Sequence, residues 1–295
     1  MKGERTTKVG NVTPSAINSA RELYLDLLVR NLVDGIYGEP WEGPWRPGNK
    51  FERGPHPHGR LGPTMAHTMV GVDRLDNVRR LMQLTVEERI PGDFIETGVW
   101  RGGCCILMRG ILAVNEIRDR KVYVADSFSG VPPPRPDLYP ADRDLRLDLN
   151  TELAVPLEAV KEHFRRYGLL DDQVVFVEGL FSETLPALDA GPFALARLDG
   201  DLYESTYIAL QCLYPKLSPG GFLIVDDYGV VKACRQAVDD YRTEHNIDAP
   251  INWIDRTGVW WRRLPESQSL WTEAGKWARS RPSFLTFWRR RPKHL

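Results

Sequence analysis

Acidic residues close two apolar runs in the second half of the chain. Asp199 and Asp201 follow one run, and the adjacent residues Asp226 and Asp227 follow the next. If both runs are neighbouring strands, these carboxylates lie close enough to share an ion, and like charges this near one another need a cation. Hard oxygen ligands suit Mg²⁺. The pattern therefore predicts a magnesium site, with separate loop acids as the plainer alternative.

A glycine-rich turn forms a second group of residues suited to ligand binding. Residues 93–103 read Asp-Phe-Ile-Glu-Thr-Gly-Val-Trp-Arg-Gly-Gly, which predicts a short buried strand, a turn and the start of a helix. Gly98, Gly102 and Gly103 let the backbone come close to a ligand, and the new helix offers unpaired N–H groups to an anion. The turn indicates a nucleotide-type pocket with Glu96 at its rim, although a plain strand–helix turn has the same composition.

Acids also end the next two predicted strands. Asp126 lies roughly 20 residues beyond the turn, where an acid accepts hydrogen bonds from the ribose of a nucleotide. This position fits NAD and S-adenosylmethionine equally well, and a cap on the turn that begins at Ser127 is the alternative. Glu178 and Gly179 end the following strand, where they would border an adenine.

Alternating strands and helices must position these residues. Apolar patterning predicts strands over 94–96, 121–126, 174–178, 193–198 and 221–226, with a final strand pair at 252–254 and 258–262. It predicts helices over 104–117, 157–167, 206–216 and 233–245. Short apolar strands between helices are typical of an α/β fold with a mostly parallel sheet and helices on both faces. Such a fold brings the strand-end acids to one rim of the sheet.

The chain divides into four predicted parts. Residues 1–12 are expected to be disordered, and residues 13–92 to hold N-terminal helices around a long connecting segment. Residues 93–264 form the α/β core. Residues 265–295 are a basic tail rich in aromatic side chains.

Two connecting segments are predicted to cover the pocket. Residues 39–63 are dense in Gly, Pro, Trp and His, and their aromatic residues argue against simple disorder. We expect this segment to be a lid, with a flexible insert as the alternative. Residues 131–150, rich in Pro and Asp, predict a second cover. The tail is expected to pack on a partner subunit of a homodimer or larger homo-oligomer, or to be solvated; binding to a membrane or nucleic acid is the alternative.

Composition and charge argue against several classes of protein. The chain has 295 residues and a net charge of −1, so it has no field that attracts nucleic acid. Its first ten residues are polar, and it has no apolar run of about 18 residues, so we expect neither a signal peptide nor a membrane span. The four cysteines lack metal-ligand spacing. We expect reduced thiols in a cytoplasmic protein that binds neither membrane nor nucleic acid.

Five runs of residues together resemble the macrocin O-methyltransferase family. They are AHTMVGVDRLDN at 66–77, FIETGVWRGG at 94–103, VADSFSGVPPP at 124–134, LDGDLYES at 198–205 and VDDY at 225–228. The resemblance extends over residues 15–263 but not over the tail. Enzymes of this family methylate sugar hydroxyls on macrolides, aminocoumarins and similar natural products.

The resemblance implies a class I methyltransferase (Rossmann-like) fold, S-adenosylmethionine as methyl donor, Mg²⁺ as cofactor and a small-molecule glycoside or sugar as acceptor. By position, Asp199, Asp226 and Asp227 match the family's metal ligands, and Asp199 also matches its proposed general base. Glu96 and Gly98 match donor-binding positions, as does Asp126. The donor site that we predict around them comprises Met69, Glu96, Thr97, Gly98, Val99, Arg101, Gly102, Cys104, Asp126, Ser127, Glu178, Gly179, Phe181 and Ser182.

One departure from related enzymes affects the choice of base. Catechol-type metal-dependent methyltransferases place a lysine three residues after the first metal aspartate, where Leu202 stands here. Asp199 or a residue of the lid must therefore take the proton. His67 is the alternative base, because imidazole titrates near neutral pH and the residue lies where the lid meets the core.

Two other functions stay open at this point. A dinucleotide-dependent oxidoreductase would use the same pocket, but hydride transfer needs no metal, whereas methyl transfer to a hydroxyl can use one to lower the acceptor's pKa. An inactive methyltransferase-like binding module would have no need of all three aspartates. The sequence therefore favours a metal-dependent O-methyltransferase.

Overall fold

The computed structural model describes residues 14–36 and 66–264. The predicted N-terminal disorder, the predicted lid at 39–63 and the predicted basic tail therefore lie outside the described residues. None of the helices within the described ranges is long and apolar enough to cross a lipid bilayer.

A seven-stranded sheet lies at the centre of the described structure. Its strands are β1 (Asp93–Thr97), β2 (Val122–Asp126), β3 (Val174–Glu178), β4 (Phe193–Leu198), β5 (Leu217–Val225), β6 (Asn252–Trp253) and β7 (Val259–Arg262). The strand order is β3-β2-β1-β4-β5-β7-β6. The first five strands in that order are parallel, and β7 is antiparallel to both β5 and β6. The predicted mostly parallel sheet is confirmed.

Seven α-helices accompany the sheet in the described part of the chain. They are α1 (Pro14–Leu32), α2 (Val72–Glu87), α3 (Gly103–Val114), α4 (Leu157–Arg166), α5 (Phe181–Ala187), α6 (Tyr203–Leu213) and α7 (Lys232–Glu244). Neighbouring residues of one strand enter two separate cores: Phe94 packs with α1 to α4, whereas Ile95 packs with α5 to α7. Helices therefore cover both faces of the sheet, as the sequence predicted.

Strand β5 begins earlier than the sequence indicates. The run Pro219-Gly220-Gly221 looks like a turn, yet β5 starts at Leu217, which pairs with Phe193 across a local irregularity in β4. The predicted strand began at residue 221 because proline and glycine are poor strand formers. The tertiary pairing with β4 overrides that preference.

The register of the parallel strands determines which residues stand together at the rim. Thr97 lies opposite both Ala125 of β2 and Leu198 of β4, and Leu198 lies opposite Val225 of β5. The residues that follow these positions therefore emerge side by side from the carboxyl edge of the sheet. They include the glycine of the turn after β1 and the acids that end the other strands.

Candidate active site

The turn between β1 and α3 adopts a backbone that its glycines make possible. Gly98 has a φ of +80°, and a Cβ at this position would lie 1.7 Å from the carbonyl oxygen of Asp199. A Cβ at Gly103 would lie 2.4 Å from the carbonyl oxygen of His67. Only glycine allows the ends of β1 and β4, and the segment before α2, to approach this closely.

Asp126 holds this turn in place. One of its carboxylate oxygens accepts a hydrogen bond from the backbone N–H of Val99 at 2.7 Å, and the other accepts one from Phe128 at 2.8 Å. The predicted capping role is thus present in the structure. The backbone N–H of Trp100 and the hydroxyl of Ser127 also bond to this carboxylate, so a ribose hydroxyl would share acceptor sites that the turn already uses. Burial raises the pKa of Asp126, while the hydrogen bonds from the backbone lower it.

A cavity of about 450 Å³ opens beside this turn. That volume lies within the roughly 300–1,000 Å³ of typical small-molecule sites. Half of the predicted donor residues line it, namely Met69, Gly98, Asp126, Ser127, Gly179, Phe181 and Ser182. The predicted base Asp199 lines it as well. The structure therefore brings these seven residues and the predicted base Asp199 together at one site.

The remaining predicted donor residues do not line the cavity, namely Glu96, Thr97, Val99, Arg101, Gly102, Cys104 and Glu178. Glu96 illustrates why. Its side chain is buried, one carboxylate oxygen accepts a hydrogen bond from Arg197, and the other lies 2.8 Å from the Cys105 thiol. The structure thus places Glu96 beneath the pocket, not at its rim as expected. Burial raises the pKa of Glu96 to about 7, although Arg197 opposes the shift.

Three carboxylates meet at the ends of β4 and β5. Oxygens of Asp199, Asp226 and Asp227 all lie within 4.8 Å of one another, so the predicted metal-binding group is assembled. One oxygen of Asp227 is buried and has no hydrogen-bond partner among the described residues. A buried, unpaired carboxylate oxygen is costly. These hard oxygen donors therefore fit a divalent cation such as Mg²⁺.

The pKa values of the acids at this rim also indicate a site for a divalent cation. Burial and the neighbouring acids raise the pKa values of both Asp199 and Asp227. Burial, followed by the charge of Asp199, raises the pKa of Asp201 to about 7. The protein's own cations do not neutralise all of the acids at this rim. A bound cation would relieve the repulsion between these acids.

Two buried arginines contact the acids, and the sequence analysis missed both. Arg197 of β4 donates hydrogen bonds to Glu96 and Asp226, and it lies 2.9 Å from an oxygen of Asp199. Arg74 of α2 donates to the other oxygen of Asp226 and, at 2.7 Å, to Asp255. A charged residue inside the apolar run Phe-Ala-Leu-Ala-Arg-Leu was the available signal for Arg197. Arg74 gave no such signal, because arginine is common on the polar face of a helix.

His67 lies apart from the residues that line the cavity. Its Nδ1 atom is 2.9 Å from the hydroxyl of Tyr167, and its ring centroid is 4.5 Å from that of His163. Burial, followed by His163 and Arg101, lowers the pKa of His67 to about 4. The ring is therefore neutral at pH 7 and packs against α4.

Residues 131–155, here called the cover segment, form a further wall. Pro132 and Arg135 line the cavity, which agrees with the second cover predicted at 131–150, and Leu153 beyond that range lines it too. The buried carboxylate of Asp142 accepts hydrogen bonds from the first N–H groups of α6, and Arg135 pairs with Glu204 of the same helix. The cover segment is thus attached to α6. No sequence pattern marks the cavity-lining residues of this wall individually.

The sequence of the chain is similar to those of known O-methyltransferases. A family model described as macrocin-O-methyltransferase (TylF) matches residues 47–263. The chain is 49% identical over 249 residues to the 8-demethyl-8-(2,3-dimethoxy-alpha-L-rhamnosyl)-tetracenomycin-C 4'-O-methyltransferase of Streptomyces olivaceus, covering 84% of this chain and 95% of that protein. It is 45% identical over 246 residues to the mycinamicin III 3''-O-methyltransferase of Micromonospora griseorubida, covering 82% of this chain and 96% of that protein.

A solved structure of similar sequence has the same fold. The O-methyltransferase NovP aligns with a TM-score of 0.74 at 46% identity, covering 83% of this chain and 100% of that chain. The class I methyltransferase fold expected from the sequence is thereby confirmed.

Proposed function

The chain belongs to the macrocin O-methyltransferase family, and we propose that it transfers a methyl group from S-adenosylmethionine to a sugar hydroxyl with the help of Mg²⁺. The acceptor is a glycosylated natural product, of macrolide or aminocoumarin type, or its sugar precursor. Asp199, Asp226 and Asp227 would hold the cation. The relatives support the acceptor class, since their names place the methyl group on 4'- and 3''-oxygens of glycosylated antibiotics.

The observation that carries this proposal is the position of the acids relative to the donor turn. Asp199 lines the same cavity as Gly98 and Asp126, and its carboxylate belongs to the group of three acids. A donor bound along the turn and an acceptor beside the acids would therefore meet in one space. Alignment of two reactants in this way supplies a large part of an enzyme's rate enhancement.

The donor end of the cavity would be built mainly from backbone. The turn at Gly98 leaves room for the donor's amino-acid portion, and Asp126 would accept hydrogen bonds from its ribose hydroxyls. Gly179 and Phe181, which line the cavity next to β3, would border the adenine. Together these residues would hold the donor in the cavity that Asp199 also lines.

Asp199 is the proposed base. It would accept the proton of the acceptor hydroxyl while the new carbon–oxygen bond forms and the sulfur–carbon bond of the donor breaks, leaving S-adenosylhomocysteine. When bound, Mg²⁺ supplies Lewis-acid chemistry that lowers the pKa of the acceptor hydroxyl. Proton transfer to a carboxylate then becomes feasible, because the difference between the two pKa values decides it. His67 stays the alternative base, but it would have to move to reach the cavity.

We also propose that the enzyme is a cytoplasmic homodimer or larger homo-oligomer. Leu23 and Leu27, one helical turn apart on α1, expose 69% and 57% of their surface, and contiguous exposed apolar surface marks sites of protein association. Light scattering on the purified full chain measures the subunit number directly. A strictly monomeric protein at micromolar concentration would exclude the proposed assembly.

Isothermal titration calorimetry tests the proposed cofactors. S-adenosylmethionine should bind the protein with and without Mg²⁺, whereas NAD and NADP should not. Binding of NAD without binding of S-adenosylmethionine would identify an oxidoreductase instead. Donor binding without methyl transfer to any glycoside in the presence of Mg²⁺ would indicate an inactive binding module.

A further inference from the structure

Trp100 has a backbone conformation that is unusual for a large side chain. Its φ is +49°, in the left-handed region, although the residue lies between two glycines of the same turn that adopt such angles freely. Bulky residues are genuine outliers there. Such conformations persist where surrounding contacts hold them, and they are concentrated at functional sites. The contacts of the indole ring should therefore explain why tryptophan occupies this position.

The indole connects the donor turn to the cover segment. Its Nε1–H donates a hydrogen bond to the carbonyl oxygen of Glu152 at 2.9 Å. Glu152 belongs to a short 3-10 turn, and its own N–H donates to the side chain of Asn150 at 3.1 Å. The indole therefore binds a turn with its own internal hydrogen bond, at the end of the cover segment opposite its attachment to α6.

The neighbouring residue makes a matching connection on the other side. The guanidinium of Arg101 lies over the Trp100 ring, 4.3 Å from its centroid. The same guanidinium donates a hydrogen bond to the carbonyl oxygen of Ala66 at 2.8 Å. Consecutive side chains of the donor turn thus hold the cover segment and the segment that leads into α2. Stacking on Arg101 also fixes the ring plane, so that Nε1 points toward Glu152.

Trp100 also faces the ligand space. It lines the cavity together with Gly98 of its own turn and Leu153 of the cover segment. A ligand on the turn therefore lies beside the hydrogen bond between Trp100 and Glu152. Movement of the cover segment away from the turn would break that bond and expose this end of the cavity to water.

We propose that Trp100 is a positioning residue for the methyl donor: its indole N–H holds residues 151–153 against the donor turn, so that donor binding and closure of this end of the cover segment stabilise each other. The inference rests on the proposed function only for the identity of the ligand. The connection itself does not depend on that identity and can be tested without ligand.

Two substitutions separate the N–H group from the ring. Trp100→Phe keeps an aromatic ring and removes the donor. Trp100→His restores it, because an imidazole superposes on the five-membered ring of indole and places its Nε2 atom where Nε1 lies. Trp253→Phe is the matched control, since Trp253 is exposed and lies on β6 outside the cavity lining.

Hydrogen–deuterium exchange of residues 150–155 and calorimetry with S-adenosylhomocysteine provide the readout. Trp100→Phe should speed exchange of this stretch in the free protein, should abolish the protection that the ligand adds, and should weaken binding roughly threefold to tenfold. Trp100→His should recover most of both effects, and Trp253→Phe should change neither. Thermal unfolding shows whether each variant is folded.

The possible failures are distinguishable. If S-adenosylhomocysteine does not bind the parent protein, the proposed function fails, while exchange in the free protein still decides whether Trp100 holds the cover segment. If the parent binds and Trp100→Phe shows the same affinity and the same exchange at 150–155, Trp100 only fills space and the inference is wrong. If Trp100→Phe does not fold, the parent decides: S-adenosylhomocysteine should slow exchange of residues 150–155, and unchanged exchange there on ligand binding would make the inference wrong.

Discussion

The carboxylate of Asp126 accepts a hydrogen bond from the backbone N–H of Val99 at 2.7 Å, across the gap between β2 and the turn after β1. The acid predicted to bind the donor's ribose therefore also shapes the turn that receives the donor. Four donors, at Val99, Trp100, Ser127 and Phe128, already bond to this carboxylate, so a ribose hydroxyl would share its lone pairs with them. Substitutions at Asp126 should consequently affect both ligand binding and the local stability of the turn.

Asp126→Ala should weaken binding of S-adenosylmethionine by about 1.5–3 kcal/mol, the range for hydrogen bonds to a charged group. It should also lower the free energy of unfolding by roughly 1–3 kcal/mol, because buried N–H groups lose their acceptor. Asp126→Asn keeps one oxygen and should recover part of the stability but little of the affinity. Calorimetry measures the change in affinity, and urea unfolding measures the change in stability. Asp172→Ala, which removes an exposed acid, is the control. Unchanged affinity in Asp126→Ala would leave Asp126 with its capping role alone.

The acids of the proposed metal site should respond differently to neutralisation. Among the described residues, one buried oxygen of Asp227 has no hydrogen-bond partner, whereas both oxygens of Asp226 accept hydrogen bonds from buried arginines. In the metal-free protein, Asp227→Asn should therefore be neutral or stabilising. Asp226→Asn should cost roughly 3–5 kcal/mol, the typical effect of breaking a buried ion pair.

Urea unfolding in EDTA measures this contrast, and titration with Mn²⁺ followed by electron paramagnetic resonance measures cation binding. Both variants should bind Mn²⁺ poorly while retaining affinity for S-adenosylhomocysteine. Equal stability of the two variants would show that the arginines do not hold Asp226. Undiminished Mn²⁺ binding in Asp227→Asn would remove that residue from the metal site.

Arg197→Met should destabilise the protein by roughly 3–5 kcal/mol, because it leaves Glu96 and Asp226 as buried acids without their shared cation. Combining it with Glu96→Gln should recover part of the loss. Arg146→Met is the control, since the Arg146–Asp148 pair is exposed on the arginine side and such pairs contribute about 0–1 kcal/mol. A double-mutant cycle on unfolding free energies measures the coupling between Arg197 and Glu96. Additive effects of the two substitutions would mean that Arg197 and Glu96 do not interact.

Protonation of His67 should make stability depend on pH. Burial and the neighbouring cationic groups lower its pKa from 6.5 to about 4 in the folded protein, so the unfolded chain binds this proton more tightly. The stability contributed by neutral His67 is complete above pH 6.5 and is lost as the pH falls toward 4. Allowing for partial exposure of the ring, the loss should be about 2 kcal/mol.

The measurement is the difference in unfolding free energy between the parent and His67→Gln from pH 7.5 to 4. That difference should shrink as the pH falls, because glutamine does not titrate. A constant difference across this range would show that the environment of His67 does not oppose its protonation.

The rim of the sheet was predictable because strand ends follow simple rules. A parallel α/β sheet places the residues after its strands along one edge, and the acids at 126, 199, 226 and 227 could be aligned from the sequence. The residues that contact and hold these acids could not be predicted in this way. Arg74 reaches Asp226 from a helix more than a hundred residues away in the chain, and nothing local to either residue indicates this contact. Glu96 was misplaced for the same reason, since its burial depends on Arg197.

Metal-assisted methyl transfer with Asp199 as the base is the step on which the proposed function depends most directly. The decisive measurement is the pH–rate profile for transfer of a labelled methyl group from S-adenosylmethionine to a macrolide or aminocoumarin glycoside, recorded with Mg²⁺ for the parent, Asp199→Asn and His67→Ala. Asp199→Asn should lower kcat far more than it raises the acceptor KM, His67→Ala should keep the parent profile, and EDTA should stop the parent reaction. Full activity in EDTA would contradict the metal assignment. Loss of an ionisation near neutral pH in His67→Ala, with a larger loss of rate than in Asp199→Asn, would make His67 the base.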